Sequence, residues 1–286
     1  MKHILASFIF LFSFSSLAFA PIDEITKSPH SSYKSYNKKN WYWSFFSIAT
    51  EPSKALKNGY GSLFSYNYFK AKRYIGRSSS IAFVPTFNIS TAGKRTEKSK
   101  VKGGAIEIGD FYSEYQYSAY SNSFLKAKIG ARIYLPLSFS SKKKNLKTRS
   151  QLYASIGAYP FYKIQAYYKA EANSYFYKGR TYQNKSNKVV GKKNSKLYHF
   201  FSLSYLTSDK FSVSSRVGQE IGLYEKTTST DSSRMTYSAD MSIKWNMAYK
   251  MSISLGLQNK ISNKQSFKDL LALSTSEVSV ITSILF

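Results

Sequence analysis

The sequence contains no cysteine among its 286 residues, and this absence removes several kinds of chemistry. There can be no disulfide framework, no cysteine nucleophile and no lipid anchor attached to a cysteine thiol. Proline and glycine are also scarce, with 6 and 14 residues, whereas tyrosine and phenylalanine reach 25 and 21. A chain so rich in aromatic residues carries enough apolar surface to fold, which excludes a disordered polypeptide.

Long apolar runs are missing as well. The one apolar run of note is Ile4–Phe14, which is too short to cross a bilayer as a helix, so helical membrane spans are excluded. The run follows Lys2 and precedes a small-x-small sequence, which is the form of a secretory signal cleaved after Ala18 or after Ala20. We therefore expect the chain to be exported, a property that an ordinary secreted protein would share.

Strict alternation of apolar and other residues runs from Leu125 to Phe139. Every odd position in this stretch is apolar, and most even positions are polar or charged. A period of two predicts a strand with one apolar face, whereas a helix needs apolar residues three and four positions apart. The stretch is longer than an ordinary globular strand and long enough to cross a membrane when tilted. The pattern recurs near 152–158, 164–172, 211–223, 235–245 and 251–257.

The strands are expected to number about twelve when they are counted back from the C-terminus. The phase of the alternation shifts near Gly109, which indicates a β-bulge. Links between strands alternate in length along the chain. The short links are expected near 71–79, 120–123, 160–162, 207–210 and 246–249, and the long links near 50–57, 91–103, 140–149, 178–196, 225–233 and 260–272.

The last strand alternates and ends on an aromatic residue, with Val278, Val280, Thr282, Ile284 and Phe286 in one register. This ending resembles the C-terminal assembly signal of bacterial outer-membrane β-barrel proteins, and the alternating strands resemble the same class along essentially the whole mature chain. The resemblance implies an all-β fold, an antiparallel up-and-down transmembrane barrel with short periplasmic turns and long basic extracellular loops. It also implies insertion by the barrel-assembly machinery, with Phe286 as the signal.

The expected organisation has three parts, and one soluble alternative remains open. A lipocalin-like barrel or sandwich would also alternate, but it would bury its apolar face in a core. The parts are a signal peptide at 1–20, a polar periplasmic segment at 21–40 and the barrel at 41–286.

Basic residues outnumber acidic ones by 42 to 15, which gives a formal net charge of +27. Much of the excess falls in the expected outer loops, and this predicts a basic collar at the mouth. The expected lumen face is more balanced in charge. The collar includes Lys142, Lys143, Lys144, Lys192 and Lys193; the candidate lumen-lining residues are Lys126, Lys128, Arg132, Lys163, Lys169, Arg216 and Lys244 together with Glu114, Glu171, Glu220 and Asp240.

These charges favour an outer-membrane porin or small-solute channel that prefers small anionic solutes, because a basic mouth concentrates anions. The alternative is a non-conducting structural barrel whose lysines bind the phosphates of surrounding lipopolysaccharide or an acidic partner. Nucleic acid is not expected as a partner of loops on the cell surface. A barrel of twelve strands lies between the filled interior of eight strands and the wide channel of sixteen, so both hypotheses stay open.

A lipid-modifying enzyme is the third hypothesis, and it depends on the histidines that follow the leader, His30 and His199. Outer-membrane phospholipases pair a histidine with a serine two positions later. Here that position is Phe201, and Ser202 is expected on the opposite face of its strand, so the nucleophile–base pair is not formed. No other residues have the spacing of a catalytic or metal site. We expect no enzymatic activity, no cofactor and no metal.

Overall fold

The computed structural model shows an all-β chain. It describes residues 41–53, 57, 63–91, 93–96, 99–101, 105–161, 163–183, 189–227, 232–248, 250–262, 265 and 276–286. The expected signal peptide, its cleavage site and the periplasmic segment at 21–40 lie outside the described residues.

The alternating segments form strands throughout the described chain, together with one short helix. In chain order the elements are β1 (Trp41–Pro52), β2 (Phe64–Tyr74), β3 (Ser79–Val84), β4 (Thr86–Ser90), β5 (Gly93–Thr96), β6 (Ser99–Val101), β7 (Ala105–Ile108), β8 (Phe111–Ser121), β9 (Leu125–Leu135), α1 (Phe139–Lys143), β10 (Leu146–Phe161), β11 (Ile164–Tyr177), β12 (Thr181–Gln183), β13 (Val189–Gly191), β14 (Lys193–Leu206), β15 (Phe211–Tyr224), β16 (Ser233–Ala248), β17 (Met251–Ser262) and β18 (Glu277–Leu285). No helix within the described residues is long and apolar enough to cross a membrane.

The main sheet is a closed antiparallel barrel. Its neighbours follow the order β1, β18, β17, β16, β15, β14, β11, β10, β9, β8, β3, β2, and pairing between β1 and β2 closes the ring. β3 and β4 are two parts of one strand interrupted at Pro85. β7 and β8 are likewise two parts of one strand interrupted at Gly109 and Asp110. Counted in this way the barrel has 12 strands, which confirms the predicted fold class.

The two interruptions lie opposite each other. Pro85 has no N–H to donate to the ladder. On the neighbouring strand the Gly109 N–H donates to the carbonyl oxygen of Thr86 at 2.9 Å, and a Cβ at position 109 would lie 2.0 Å from Thr86 Oγ1. Glycine permits this close approach of two backbones. The irregularity expected near Gly109 is therefore present, and it divides β7 from β8.

Connections alternate between short and long, and the antiparallel order places the two kinds at opposite ends of the barrel. In outer-membrane barrels the short turns face the periplasm and the long loops face outward, which assigns the two ends. The short connections are 75–78, 122–124, 162–163, 207–210 and 249–250; the long ones are 53–63, 91–104, 136–145, 178–192, 225–232 and 263–276.

β9 is shorter than its alternation suggests, because it ends at Leu135 and not at Phe139. Pro136 cannot donate to the ladder and ends the pairing. Ser138 then accepts a hydrogen bond from the backbone N–H of Ser141 at 3.1 Å and begins α1. Asp110 fixes this corner, since its carboxylate accepts from the Ser138 N–H at 2.9 Å and from the Ser141 hydroxyl at 2.5 Å.

The outer and inner surfaces of the barrel have opposite character. Ile133 and Leu152 are 62% and 64% exposed, while their chain neighbours Tyr134 and Tyr153 are each 6% exposed. Leaving such an apolar surface in water would cost about 25 cal/mol for each Å², so the outer surface is suited to lipid. This arrangement excludes the soluble lipocalin-like alternative, in which the apolar side chains would lie inside.

Aromatic rings gather on the outer surface at the periplasmic end, where they form a girdle. Phe211 and Trp245 stack with ring centroids 6.0 Å apart, and Trp41 lies 6.3 Å from Phe83. The terminal Phe286 is exposed at the same end, and its N–H donates to the carbonyl oxygen of Trp43 at 2.9 Å. Its role as an assembly signal stays a prediction.

Candidate functional site: a basic lumen lined with tyrosine

The inner surface of the barrel carries more basic than acidic side chains. Cross-strand register and alternation place these residues on it. The basic ones are Lys70, Lys72, Lys126, Lys128, Arg132, Arg149, Lys169, Lys193, Lys196, Arg216, Arg234, Lys244 and Lys260; the acidic ones are Glu107, Glu114, Glu171, Glu220, Asp240 and Glu277.

Lys163 is the one expected lining residue that lies elsewhere. It is exposed in the short connection 162–163. The pairing of β10 with β11 shifts register between Ala158 and Phe161, and β10 ends there. Lys163 has the parity of a lumen residue, but it lies beyond the periplasmic end of the wall.

Glu114 on β8 is the centre of a buried charge cluster. Lys70 Nζ lies 2.8 Å from Glu114 Oε2, and Arg132 Nη2 lies 2.6 Å from Oε1. The Tyr153 hydroxyl donates to the same Oε1 at 2.9 Å. Lys70 on β2 reaches diagonally across β3 to Glu114, whose cross-strand partner on β3 is the small residue Ala82. One carboxylate is thus shared between two cations, and the cluster of Lys70, Glu114 and Arg132 carries a net positive charge.

Tyr153 lies against the wall of the barrel and not across the bore. Its cross-strand partner is Gly130, and a Cβ at that position would lie 2.3 Å from Tyr153 Cζ. Glycine therefore leaves the space that the ring occupies. The Arg132 guanidinium is 5.0 Å from the ring centroids of both Tyr112 and Tyr153, so cation–π contacts on two sides hold it in place.

A second group of charges lies at the extracellular end of the bore, and we call it the mouth cluster: Arg149, Lys193, Lys196, Glu220 and Arg234. Lys193 and Lys196 share Glu220, with Nζ–Oε distances of 2.8 and 3.4 Å, and the three side chains are between 22% and 32% exposed. Arg149 lies 3.4 Å from the ring centroid of Tyr134, and Arg234 lies 5.3 Å from that of Tyr224. Within the described residues, neither arginine has a carboxylate within 4.0 Å.

The sequence predicts Glu220 of the mouth cluster as a lumen residue, but it places the cations Arg149, Lys193 and Lys196 in loops. Arg149 and Lys196 were expected in the loops 140–149 and 178–196, but β10 begins at Leu146 and β14 at Lys193. At these positions both faces of the strand carry polar residues. The alternation of apolar and polar residues by which a strand is recognised in the sequence is therefore absent there. The parity of Gln151 and Tyr153, continued back to Arg149, was the signal that could have found it.

The opposite wall of the bore has a simpler arrangement of charge. Arg216 on β15 pairs with its cross-strand partner Asp240 on β16, and both are buried. Around this pair the inward positions are small; Ser214 and Ser242, for example, are cross-strand partners whose hydroxyl oxygens lie 2.8 Å apart. The pair is neutral, so it adds little field to the bore.

The residues expected to form the basic collar lie in different environments. Lys142 and Lys143 are exposed in the last turn of α1, and Lys144 caps it. Lys193 faces the bore in the mouth cluster.

Lys192 is buried, unlike the other residues of the expected collar. It is 2% exposed, and its ammonium donates to the carbonyl oxygens of Lys178 at 3.1 Å and Gly179 at 2.9 Å. Burial lowers the pKa of this group. Lys192 therefore joins the two ends of connection 178–192 and adds no exposed charge to the rim.

His199, the residue on which the enzyme hypothesis depends, faces outward on β14. Its Nε2 lies 3.0 Å from Gln219 Oε1, and its ring is 6.2 Å from that of Tyr168. Ser202 faces the bore and is buried, so no serine hydroxyl of this strand reaches the imidazole. Within the part of the chain that the structure describes, no group of His, Asp or Glu residues could hold a metal ion.

Comparison with known proteins finds likeness in structure alone. No protein-family model and no curated protein matches the chain. The NanC porin has a TM-score of 0.51 at 8% sequence identity over 85% of this chain and 98% of that one. The KdgM porin has a TM-score of 0.44 at 7% identity over 85% and 99%, and LpxR from Salmonella typhimurium has 0.41 at 10% identity over 85% and 100%. The likeness to NanC establishes the fold, which is that of an outer-membrane β-barrel.

Proposed function

We propose that the protein is an outer-membrane channel for small solutes that favours anions. The observation that carries this proposal is the mouth cluster, in which Lys193 and Lys196 share the single carboxylate of Glu220 and the cations Arg149 and Arg234 face the bore at the same end. The side chains that share Glu220 are partly exposed, so a passing ion can approach them.

The strength of the effect follows from Coulomb's law. A unit charge 7 Å from an ion contributes about 0.6 kcal/mol in water and about 2 kcal/mol at an effective dielectric constant of 20. The low-dielectric wall of a barrel focuses the field along the bore. One excess charge at the mouth is therefore enough to change the ratio of anion to cation permeability by a factor of about three or more.

The way the tyrosines around the Lys70, Glu114 and Arg132 cluster are held supports conduction by small solutes. Tyrosine rings in the lumen would block the bore if they crossed it, but Tyr153 lies over Gly130 and donates to Glu114. Tyr134 is likewise tied to the wall, since its hydroxyl donates to Gln151 Oε1 at 2.6 Å. Side chains held in this way narrow a bore of twelve strands without crossing it.

The test is conductance of the refolded mature protein in a planar bilayer under a gradient of potassium chloride. We expect discrete steps and a reversal potential that favours chloride. Replacing Lys193 and Lys196 together by Glu should move the reversal potential toward the potassium value. Replacing the exposed Lys142 and Lys143 by Glu is the matched control, because it makes the same change in charge outside the bore.

A correctly folded barrel that never conducts would overturn the proposal. The second candidate, a non-conducting barrel that binds lipopolysaccharide or an acidic partner, would then gain support. It is favoured by the exposed charge of the outer connections, where Lys142 and Lys143 are exposed and the Arg180 side chain is 84% exposed.

A further inference from the structure

A row of hydrogen-bonded polar side chains crosses the lipid-facing surface of the barrel. His199 on β14, Gln219 on β15 and Tyr237 on β16 are direct cross-strand partners. His199 Nε2 lies 3.0 Å from Gln219 Oε1, and Gln219 Nε2 donates to the Tyr237 hydroxyl oxygen at 3.4 Å. We call these three residues the outer polar row.

The row lies inside the apolar band of the outer surface. Toward the extracellular end the next outward residues are Leu197, Ile221 and Met235, and toward the periplasmic end they are Phe201, Val217 and Ala239.

The depth of the row follows from its distance to the girdle on β16. Tyr237 is separated from Trp245 by eight positions of a strand that rises about 3.3 Å per residue and tilts by about 40°, so the row lies roughly 20 Å above the girdle. The apolar band of such barrels is about 25 Å tall. The row is therefore at the depth where outer-leaflet acyl chains join their headgroup.

The hydrogen bonds of the row run in one direction. Gln219 Oε1 can only accept, so His199 Nε2 carries the proton and Nδ1 is left as an acceptor. The Tyr237 oxygen accepts from Gln219, which leaves its own hydroxyl hydrogen as a donor. The described residues provide no partner for either end. Buried polar groups without partners are disfavoured, so a lipid group at the junction of acyl chain and headgroup that both donates and accepts would satisfy the two ends of the row.

We propose that the outer polar row binds lipopolysaccharide of the outer leaflet through its amide-linked, hydroxylated acyl region. An amide N–H or a hydroxyl of that region can donate to His199 Nδ1, and a carbonyl can accept from Tyr237. A glycerophospholipid presents ester carbonyls at this depth, which only accept and so can satisfy Tyr237 but not His199. The inference does not depend on whether the bore conducts.

The experiment compares lipid binding in nanodiscs of phosphatidylethanolamine and phosphatidylglycerol, with lipopolysaccharide added in increasing amounts. The variant replaces His199 and Tyr237 by Phe, which removes both ends of the row but keeps aromatic, membrane-compatible side chains. We expect lipopolysaccharide to bind this variant about tenfold more weakly than the wild type, with phosphatidylglycerol binding unchanged.

Tyr115→Phe is the matched control. Tyr115 is another outward tyrosine, on β8, and its hydroxyl oxygen lies 3.2 Å from Ser79 Oγ, so this control removes one hydrogen-bonded tyrosine hydroxyl, as Tyr237→Phe does, at a different place. We expect this variant to bind lipopolysaccharide as the wild type does.

Nitrogen NMR of histidine provides a second readout, because the mature chain contains only His30 and His199. Lipopolysaccharide should shift the Nδ1 resonance that is lost in His199→Phe, and phosphatidylglycerol should not. Equal lipopolysaccharide affinity in wild type and double variant would overturn the proposal. It would equally be overturned if the double variant changed self-association and left lipid binding intact, since the row would then be a contact between copies.

Discussion

The wall formed by β8 to β11 and the wall formed by β15 to β18 line the same bore with different side chains. The first wall is built from large groups, such as Arg132 between Tyr112 and Tyr153, and each is held by a partner. The second wall is built mostly from small groups that need no such support: Ser212, Ser214, Gly218, Ser242, Ser252, Ser254, Gly256, Ser279 and Ser283. The width of the bore therefore depends on contacts within the first wall.

The two walls also differ in how they neutralise charge. On the first wall Glu114 is shared by Lys70, which reaches it from β2, and Arg132, whereas on the second wall Asp240 forms its ion pair with Arg216. The first arrangement leaves a positive excess and the second leaves none. The cluster on the first wall thus adds positive potential to the middle of the bore, whereas the Arg216–Asp240 pair on the second wall does not.

Replacing the central carboxylate of each wall, one variant at a time, should give the largest difference in stability between the two walls. Glu114→Gln leaves two buried cations without their shared anion, and we expect it to lower the free energy of unfolding by about 5 kcal/mol, at the upper end of the usual range for a broken buried ion pair. Asp240→Asn leaves one cation, and we expect a loss of about 3 kcal/mol. Urea unfolding of each variant in lipid vesicles measures the difference.

Equal losses in the two variants would show that the number of cations around the carboxylate is unimportant. A variant that retains its fold can also be tested for conductance. Glu114→Gln should then raise the preference for chloride, because the positive excess on the first wall increases.

A methyl group added to each wall should have unequal effects. At Gly130 the new Cβ would lie 2.3 Å from Tyr153 Cζ, so the ring must leave the wall and lose its hydrogen bond to Glu114. We expect Gly130→Ala to cost about 2–3 kcal/mol in stability and to lower single-channel conductance as the ring enters the bore. At Gly256 the new Cβ would meet Ser279 Oγ at 2.9 Å, which a rotation of that small side chain relieves, and the Met241 carbonyl oxygen at 3.2 Å, which needs only a small shift.

Adding Tyr153→Ala to Gly130→Ala should restore conductance, since the displaced ring is then absent. If Gly256→Ala reduces conductance as much as Gly130→Ala does, the first wall does not control the width of the bore. Unfolding in urea and conductance steps, measured on the same preparations, decide between these outcomes.

The sequence reveals the membrane-facing surface of this barrel better than its bore. Apolar alternation, as from Leu125 onward, is imposed by lipid on every strand, so strand number and the positions of the two ends can be read from it. Contacts in the bore join residues far apart in the chain, such as Lys70 with Glu114 and Tyr153 with Gly130. These contacts depend on the register of several strands relative to one another, and the residue pattern along a single strand does not determine that register.

Loop boundaries could not be read for a different reason. Beyond the membrane both faces of a strand are polar, so Lys193 and Arg149 look like loop residues in the sequence. Proline has the opposite effect at Pro136, where the alternation continues although pairing has stopped.

Changes in the mouth cluster should have smaller effects, and these should raise or lower the ratio of chloride to potassium permeability according to the charge that is removed. Glu220→Gln removes the one carboxylate that Lys193 and Lys196 share, and Lys193→Gln removes one of its two partners. Because these groups are partly exposed, each change is worth about 0.5–1 kcal/mol, or roughly two- to fivefold in permeability ratio. We expect the ratio of chloride to potassium permeability to rise in the first variant and fall in the second, as reversal potentials in a salt gradient would show. Shifts of the same sign would contradict a direct electrostatic role.

The smallest effect is expected from the rim. Lys142, Lys143 and Lys144 carry one more positive charge than the two lysines of the mouth cluster, but they lie on α1 and its cap, outside the barrel wall. Charges that are exposed to water are screened over about 8 Å at physiological ionic strength, so replacing all three by Gln should change the permeability ratio by less than about twofold in 0.15 M salt. The same triple variant should show a larger shift in 0.01 M salt, where the screening length is about 30 Å. A strong effect at both salt concentrations would mean that ions pass close to α1, and the collar that the sequence predicts would then share control of selectivity with the bore.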